Sequence, residues 1–281
     1  MVSVLLALAA SVSWGVSDFL GGLNSRYLAV AAVMLVSQTV GLALLLPLAL
    51  VHGWPAFDGA SYLFAATGSA AGLIGIAAMY RGMAVGAVSI VAPLSATGAA
   101  LPVIFGLLRG EHATVLQVLG MGLALVGIVL ASRAAHGSEK NGSSRVASGV
   151  GFAALAALGF GGFFVLIHQA STYDVLWAGT IQRLTGVCIM LVVVLVLRPS
   201  LKVGWPRVPA LLVIGALDTG ANVLYAYAST TGLVSVSAVL ASLYPVMTVV
   251  LARFVLRERL SPSQGTGVVC ALAGVAFIAM Q

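Results

Sequence analysis

Ten apolar runs, each near the roughly 20 residues that a bilayer-spanning helix needs, leave this chain one solvent in which to fold. They fall at about 2–22, 28–51, 60–80, 84–108, 114–132, 149–170, 174–197, 208–229, 233–256 and 263–280. Only 7% of the 281 residues are charged, against about 25% in a soluble domain, so too little polar surface exists to cover a water-facing globule. The expected fold class is an all-α integral membrane protein with ten transmembrane helices. The first run begins at the N-terminus without a basic lead and continues through Trp14 to Leu20, so it reads as a spanning segment and not as a signal peptide. The formal net charge of +6 does not point to nucleic acid, because the basic residues sit in short loops between spans. Cys188 and Cys270 both lie inside apolar runs and are expected to be small core residues.

The chain also writes one unit twice. GEHATVLQ at Gly110–Gln117 returns as RERLSPSQ at Arg257–Gln264, with Glu258 following Glu111 by 147 residues. The same offset carries Thr114 onto Ser261, Gln117 onto Gln264, Gly120 onto Gly267 and Gly127 onto Gly274. Each copy is a charged turn, a Ser/Thr-x-x-Gln capping box, and an apolar helix whose glycines admit a close neighbour. With small shifts of register, Tyr27 and Gly41 match Tyr173 and Gly186, placing Gln38 opposite the Arg183 position, and Gly15 and Phe19 match Gly159 and Phe163. The expected domains are a first five-helix repeat at 1–132, a polar Gly/Ser-containing linker at 133–148, and a second repeat at 149–281.

Five spans per repeat mean that the second repeat enters the membrane from the other side, so the two are expected to be inverted around a central cavity. Charge placement agrees with that count. Eleven of the thirteen Lys and Arg residues lie in loops after odd-numbered spans, leaving Arg109 in an even-numbered loop and Arg183 within span 7. The positive-inside rule places the odd-numbered loops in the cytoplasm and both termini outside, in a multi-pass protein of the cell (inner) membrane.

Ten helices in two five-helix repeats, the Trp14–Gly15 pair in the first span, the Glu-containing turns before spans 5 and 10, and Arg183 in the seventh span resemble the drug/metabolite transporter superfamily, specifically its EamA-type branch. RERLS at Arg257–Ser261 is similar to a turn common there, while GEHAT in the first half departs from it. The resemblance covers essentially the whole chain. It implies a central cavity lined mainly by spans 1, 3, 4, 6, 8 and 9, with spans 5 and 10 packed behind. By their placement at the turns that begin those rear spans, Glu111 and Glu258 are expected to be helix-start and turn anchors that hold the scaffold.

Ionisable residues inside spans need a reason, because each costs at least about 2.5–3.5 kcal/mol on insertion scales. Three stand out. Arg183 and Asp218 share a depth and opposite charge, so they are candidates for an ion pair that fixes packing. Asp218, with Asn222 one turn on, is equally a candidate contact for substrate or a proton. Asp18 lies nearer a helix end, where it either meets interfacial water or exchanges a proton. Two acids against one arginine leave a surplus carboxylate, which favours a cationic or zwitterionic solute, or a proton, over an anion. Among the aromatics Trp14, Tyr80, Phe160, Trp177, Tyr225, Tyr227 and Tyr244, the deepest pair, Trp14 and Tyr244, are the expected cavity contacts, suited to apolar groups and organic cations. Pro93 and Pro102 in span 4 and Pro245 in span 9 are expected to kink equivalent helices into paired gates, with Ser95, Thr97 and Ser242 near the freed carbonyls. His168 is expected as a solvated helix-end residue.

There is no phosphate-binding loop, no HExxH or Cys-rich metal spacing and no nucleophilic triad. The expectation is therefore no enzyme, no cofactor and no metal. The chain is read as a secondary transporter that moves a small polar metabolite, such as an amino acid or related amine, outward by alternating access. Proton coupling through Asp18 or Asp218 is the expected drive, and the expected state is a monomer or homodimer. A multidrug exporter of lipophilic cations and an uncoupled facilitator or channel stand as alternatives.

Overall fold

In the membrane's hydrocarbon region a backbone N–H or C=O has no water to bind, so apolar runs of this length close their hydrogen bonds internally as helices. The computed structural model describes residues 1–281 except 26, 55–57, 86–94, 96, 132–142, 256–261 and 280–281. Among the described residues every regular element is helical: α1 (Val2–Asn24), α2 (Val30–His52), α3 (Gly59–Val85), a 3-10 turn Thr97–Ala99 leading into α4 (Ala100–Leu108), α5 (Val115–Ala131), α6 (Ser143–Ser171), α7 (Val175–Leu197), a 3-10 turn Trp205–Arg207 leading into α8 (Val208–Thr231), α9 (Val234–Ala241), α10 (Tyr244–Val255) and α11 (Pro262–Ala279). Six of these helical stretches are long and apolar enough to cross a membrane, and four shorter apolar ones, Thr97–Leu108, Val115–Leu130, Val234–Met247 and Pro262–Ile278, occupy the remaining runs. Large apolar side chains such as Leu48 and Val51 on α2 and Leu195 and Leu197 on α7 face outward, where lipid is their solvent.

Polar residues set several helix starts. Asp58 accepts from the Ser61 N–H at 2.8 Å and from its hydroxyl at 2.7 Å, and these bonds hold its carboxyl below the usual carboxylate range. Asp174 caps α7 by accepting from the Trp177 N–H at 3.0 Å. The capping box before α5 forms in both directions: the Thr114 N–H donates to Gln117 Oε1 at 2.9 Å, and the Gln117 N–H donates to Thr114 Oγ1 at 3.3 Å. Its second copy begins at residues outside the described set.

Helices pack mainly across the halves. α1 lies on α8 and α3 on α6, α2 on both α7 and α8, α3 also on α7, and α5 on α11. Exchanging each span with its equivalent leaves these pairings unchanged. Where equivalents meet, small residues let them. A Cβ on Gly120 would lie 2.8 Å from the Gly274 carbonyl oxygen, and one on Gly127 would lie 2.8 Å from that of Gly267. The rising numbers on α5 against the falling numbers on α11 show that the two helices run antiparallel. Gly127→Leu is expected to cost about 1–3 kcal/mol by overpacking, read as a lower melting temperature in detergent. Gly122→Leu is the control, because a Cβ there meets nothing within 4 Å; equal melting of the two variants would count against the contact.

Loops gather at two ends. At one, Arg207 lies 4.0 Å over the Tyr27 ring, joining the α1–α2 turn to the basic stretch before α8; this is the basic end. At the opposite end the Trp177 indole N–H donates to the Gly53 carbonyl at 2.7 Å, Trp54 stacks on Trp177, and Ser3 abuts Gly232.

Several expectations change. Pro102 and Pro245 do not kink continuous spans: both stand in first turns, of α4 and α10. There a missing N–H removes no intrahelical bond. Span 9 is two helices separated by Ser242 and Leu243. Pro93 lies outside the described residues. Pro47, not singled out from the sequence, sits inside an α2 that continues through it. α6 begins at Ser143, within the expected linker. Cys188 is exposed and Cys270 half-buried, so neither is a core residue. His168 is half-buried with its ring edge-on to Phe105, at 6.1 Å, and its Nδ1 is buried without a hydrogen-bond partner among the described residues.

Candidate functional site

Among the described residues the most buried charge, Arg183, is 1% exposed and rests on a glycine. A Cβ on Gly41 of α2 would come within 2.8 Å of Arg183 Cδ. Across the same interface a Cβ on Gly186 would come within 2.9 Å of Gln38 Cδ. Each repeat therefore supplies a long polar side chain and the glycine that receives its counterpart. Arg183 Nη1 reaches Asp218 Oδ2 at 2.7 Å and Gln38 Oε1 at 3.2 Å, and the Ser37 hydroxyl donates to the same Asp218 oxygen at 3.4 Å. Arg183 Nε and Nη2 are buried without a hydrogen-bond partner among the described residues.

Beside this cluster lies a cavity of about 110 Å³. Its polar lining includes Asp18, Gln38, Gln182, Arg183, Asp218 and Asn222. Ser95 and Ser242, 1% and 2% exposed, add hydroxyls, and the Ser242 Oγ has no hydrogen-bond partner among the described residues. Asp218 is 26% exposed at its side chain, and Asp18, closer to the basic end of α1, is exposed. No hydrogen-bond or ion-pair partner for Asp18 is found among the described residues. Its one charged neighbour of note is Asp218, of like sign. Asn222, which lines the cavity, donates from its side-chain amide to the Asp218 carbonyl on its own helix at 2.6 Å.

The apolar lining combines aliphatic Leu73, Ile76 and Met79 with a cluster of aromatic rings. Trp14 makes ring contacts with Phe163, Phe164, Tyr225 and Tyr244 at centroid distances of 6.3, 5.8, 6.1 and 6.5 Å. Tyr225, fully buried, donates its hydroxyl to the Phe164 carbonyl at 3.0 Å. Trp14, Phe163, Phe164 and Tyr244 form the cavity floor toward the opposite end, backed by Tyr225, which lies nearly one turn beyond Asn222 along α8. Phe160 and Tyr244 line the cavity; Tyr227 points outward, and Trp177 belongs to the tryptophan stack at the opposite end. The Tyr80 side chain lies outside the described residues.

Besides Ser69 of span 3, two polar cavity residues, Gln38 and Gln182, escaped the sequence reading as site residues. They bring spans 2 and 7 into a lining expected mainly from spans 1, 3, 4, 6, 8 and 9. The available signal was Gln38 itself, an amide in an apolar run at the position equivalent to Arg183.

Among curated proteins none matches the sequence. A solved structure described as "Crystal structure of protein" is 16% identical, with a TM-score of 0.84 over 99% of this chain and 96% of that one; the likeness is one of fold. A family model, that of the EamA-like transporter family, matches twice, at residues 1–133 and 147–280. With one copy of the family's unit on each side of the linker, and with both copies contributing to one polar cavity, this chain belongs to the EamA-like transporter family of the drug/metabolite transporter superfamily.

Proposed function

We propose that the protein exports a small cationic or zwitterionic metabolite, such as an amino acid or related amine, by alternating access between two inverted halves, driven by protons that titrate Asp18. The observation that carries the reading is the charge balance of the cavity. Arg183 is engaged by Asp218 and Gln38, so Asp18 is the carboxylate left over. A bound ammonium group or a proton neutralises it equally well, and that mutual exclusion is what couples a solute moving one way to protons moving the other. Antiparallel packing of the equivalent helices α5 and α11 supports the inverted arrangement. The positive-inside rule assigns the basic end to the cytoplasm.

A thermal-shift screen of amino acids, amines and lipophilic cations against the purified protein identifies the solute, which is then used in proteoliposome flux. Asp18→Asn is expected to abolish flux driven by a pH gradient while retaining exchange of solute for solute. Full pH-driven flux in that variant would sink the coupling assignment. The aromatic walls around Trp14 favour a second reading, a lipophilic-cation exporter; stabilisation by planar cations and by no amino acid would select it.

A further inference from the structure

Glu111 does not cap the helix it precedes. The N-terminus of α5 is already closed by the Thr114–Gln117 box. The Glu111 carboxylate instead crosses to the second half, where it accepts from the backbone N–H groups of Val234 and Ser235, the latter at 3.1 Å. These are the first two residues of α9, whose own N-cap, Leu233, provides no side-chain hydrogen bond. Unpaired N–H groups at a helix start carry partial positive charge, and an ionised carboxylate is their strongest side-chain acceptor. Gly106 makes the crossing possible: a Cβ there would lie 2.6 Å from Glu111 Cδ and 3.2 Å from Val234 Cγ1.

What Glu111 holds is a short, buried helix. All eight residues of α9 are buried. The helix ends at the Ser242–Leu243 break, and Ser242 and Tyr244 on either side of that break line the cavity. One carboxylate at the opposite end therefore ties the first half to a short rod whose other end is cavity wall. We propose that Glu111 is a latch: it holds α9 closed over the cavity at the opposite end, and its release accompanies opening there. Glu111 is then a positioning residue that acts on the cavity through α9. The proposal rests on the alternating-access reading above.

The test measures access at Ser242 in full-length protein carrying Cys188→Ala and Cys270→Ala. Ser242→Cys is labelled in sealed vesicles of known orientation with a membrane-impermeant methanethiosulfonate, applied to one face at a time. With Glu111 intact, labelling is expected chiefly from the basic end. Glu111→Gln keeps one acceptor and replaces the other by an amide NH2. It is expected to raise the ratio of opposite-end to basic-end labelling about tenfold, or about 1.4 kcal/mol, with basic-end labelling falling as the other rises. Gly106→Ala displaces the carboxylate without altering it and is expected to shift the ratio in the same direction, which keeps the test decisive if Glu111→Gln folds poorly. An unchanged ratio in both variants overturns the latch alone. A parallel rise from both ends marks a loosened fold and also overturns it. Full-rate labelling from both faces with Glu111 intact describes a pore, and overturns the alternating-access reading together with the latch.

Discussion

Arg183→Ala is expected to lose most of its folded protein, and the second change that restores folding separates structure from transport. The substitution leaves Asp218, Gln38 and Ser37 around an empty socket, with the carboxylate uncompensated. Breaking one partner of a buried pair costs about 3–5 kcal/mol, a large share of the roughly 5–15 kcal/mol that holds a typical protein folded. Size-exclusion profiles and melting temperature in detergent check this directly. The double variant Arg183→Met/Asp218→Leu replaces both charges by apolar groups of similar length, a change that is often neutral or stabilising for a buried pair. It is expected to melt near the wild type and to carry no flux, because Asp218 is 26% exposed and borders the cavity. A double variant that transports normally would assign the pair to packing alone.

Trp14→Ala is expected to produce the second large loss. The indole is 8% exposed and touches four other rings. Its removal leaves a void whose walls cannot collapse, because Tyr225 is held by its bond to the Phe164 carbonyl. Truncating a large buried aromatic to alanine costs about 3–5 kcal/mol, most of it here from lost packing, since lipid is as apolar as the protein interior. Flux is expected to fall as well, because the same ring is the cavity floor. Trp14→Phe retains a ring and is expected to recover most of the stability. If Trp14→Ala were as thermostable as the wild type, the aromatic floor would not be a packing element.

Much of this was visible in the residues alone, and the reason differs for each part. The helical, membrane-spanning character and the two-part organisation follow from local properties. Twenty apolar residues enter lipid wherever they sit in a chain, and a repeated capping box with glycines in fixed register marks two copies of one unit. Asp18, Arg183 and Asp218 stand out because charge in an apolar run is costly wherever it lies. The break at Ser242–Leu243 was misplaced, because a proline signals that a helix changes near it but not whether it kinks the helix or starts a new one. Gln38 was seen only as a match to Arg183, since an amide carries no charge to demand a partner. Glu111 reads from the sequence only as a helix-start and turn anchor, because capping arguments run along the chain and its partners are 123 and 124 residues away.

The amino-acid sequence by itself determined that this chain is an all-helical, multi-pass membrane protein in two related halves, because partition into lipid depends on the composition of each segment and not on its neighbours. Only the tertiary structure decided which polar groups meet: that Gly41 receives Arg183, that Arg183 pairs with Asp218 and Gln38, and that Glu111 accepts from the first backbone N–H groups of α9. Those pairings depend on how close two helices come, and that distance is set at glycines and small residues whose partners lie in the other half.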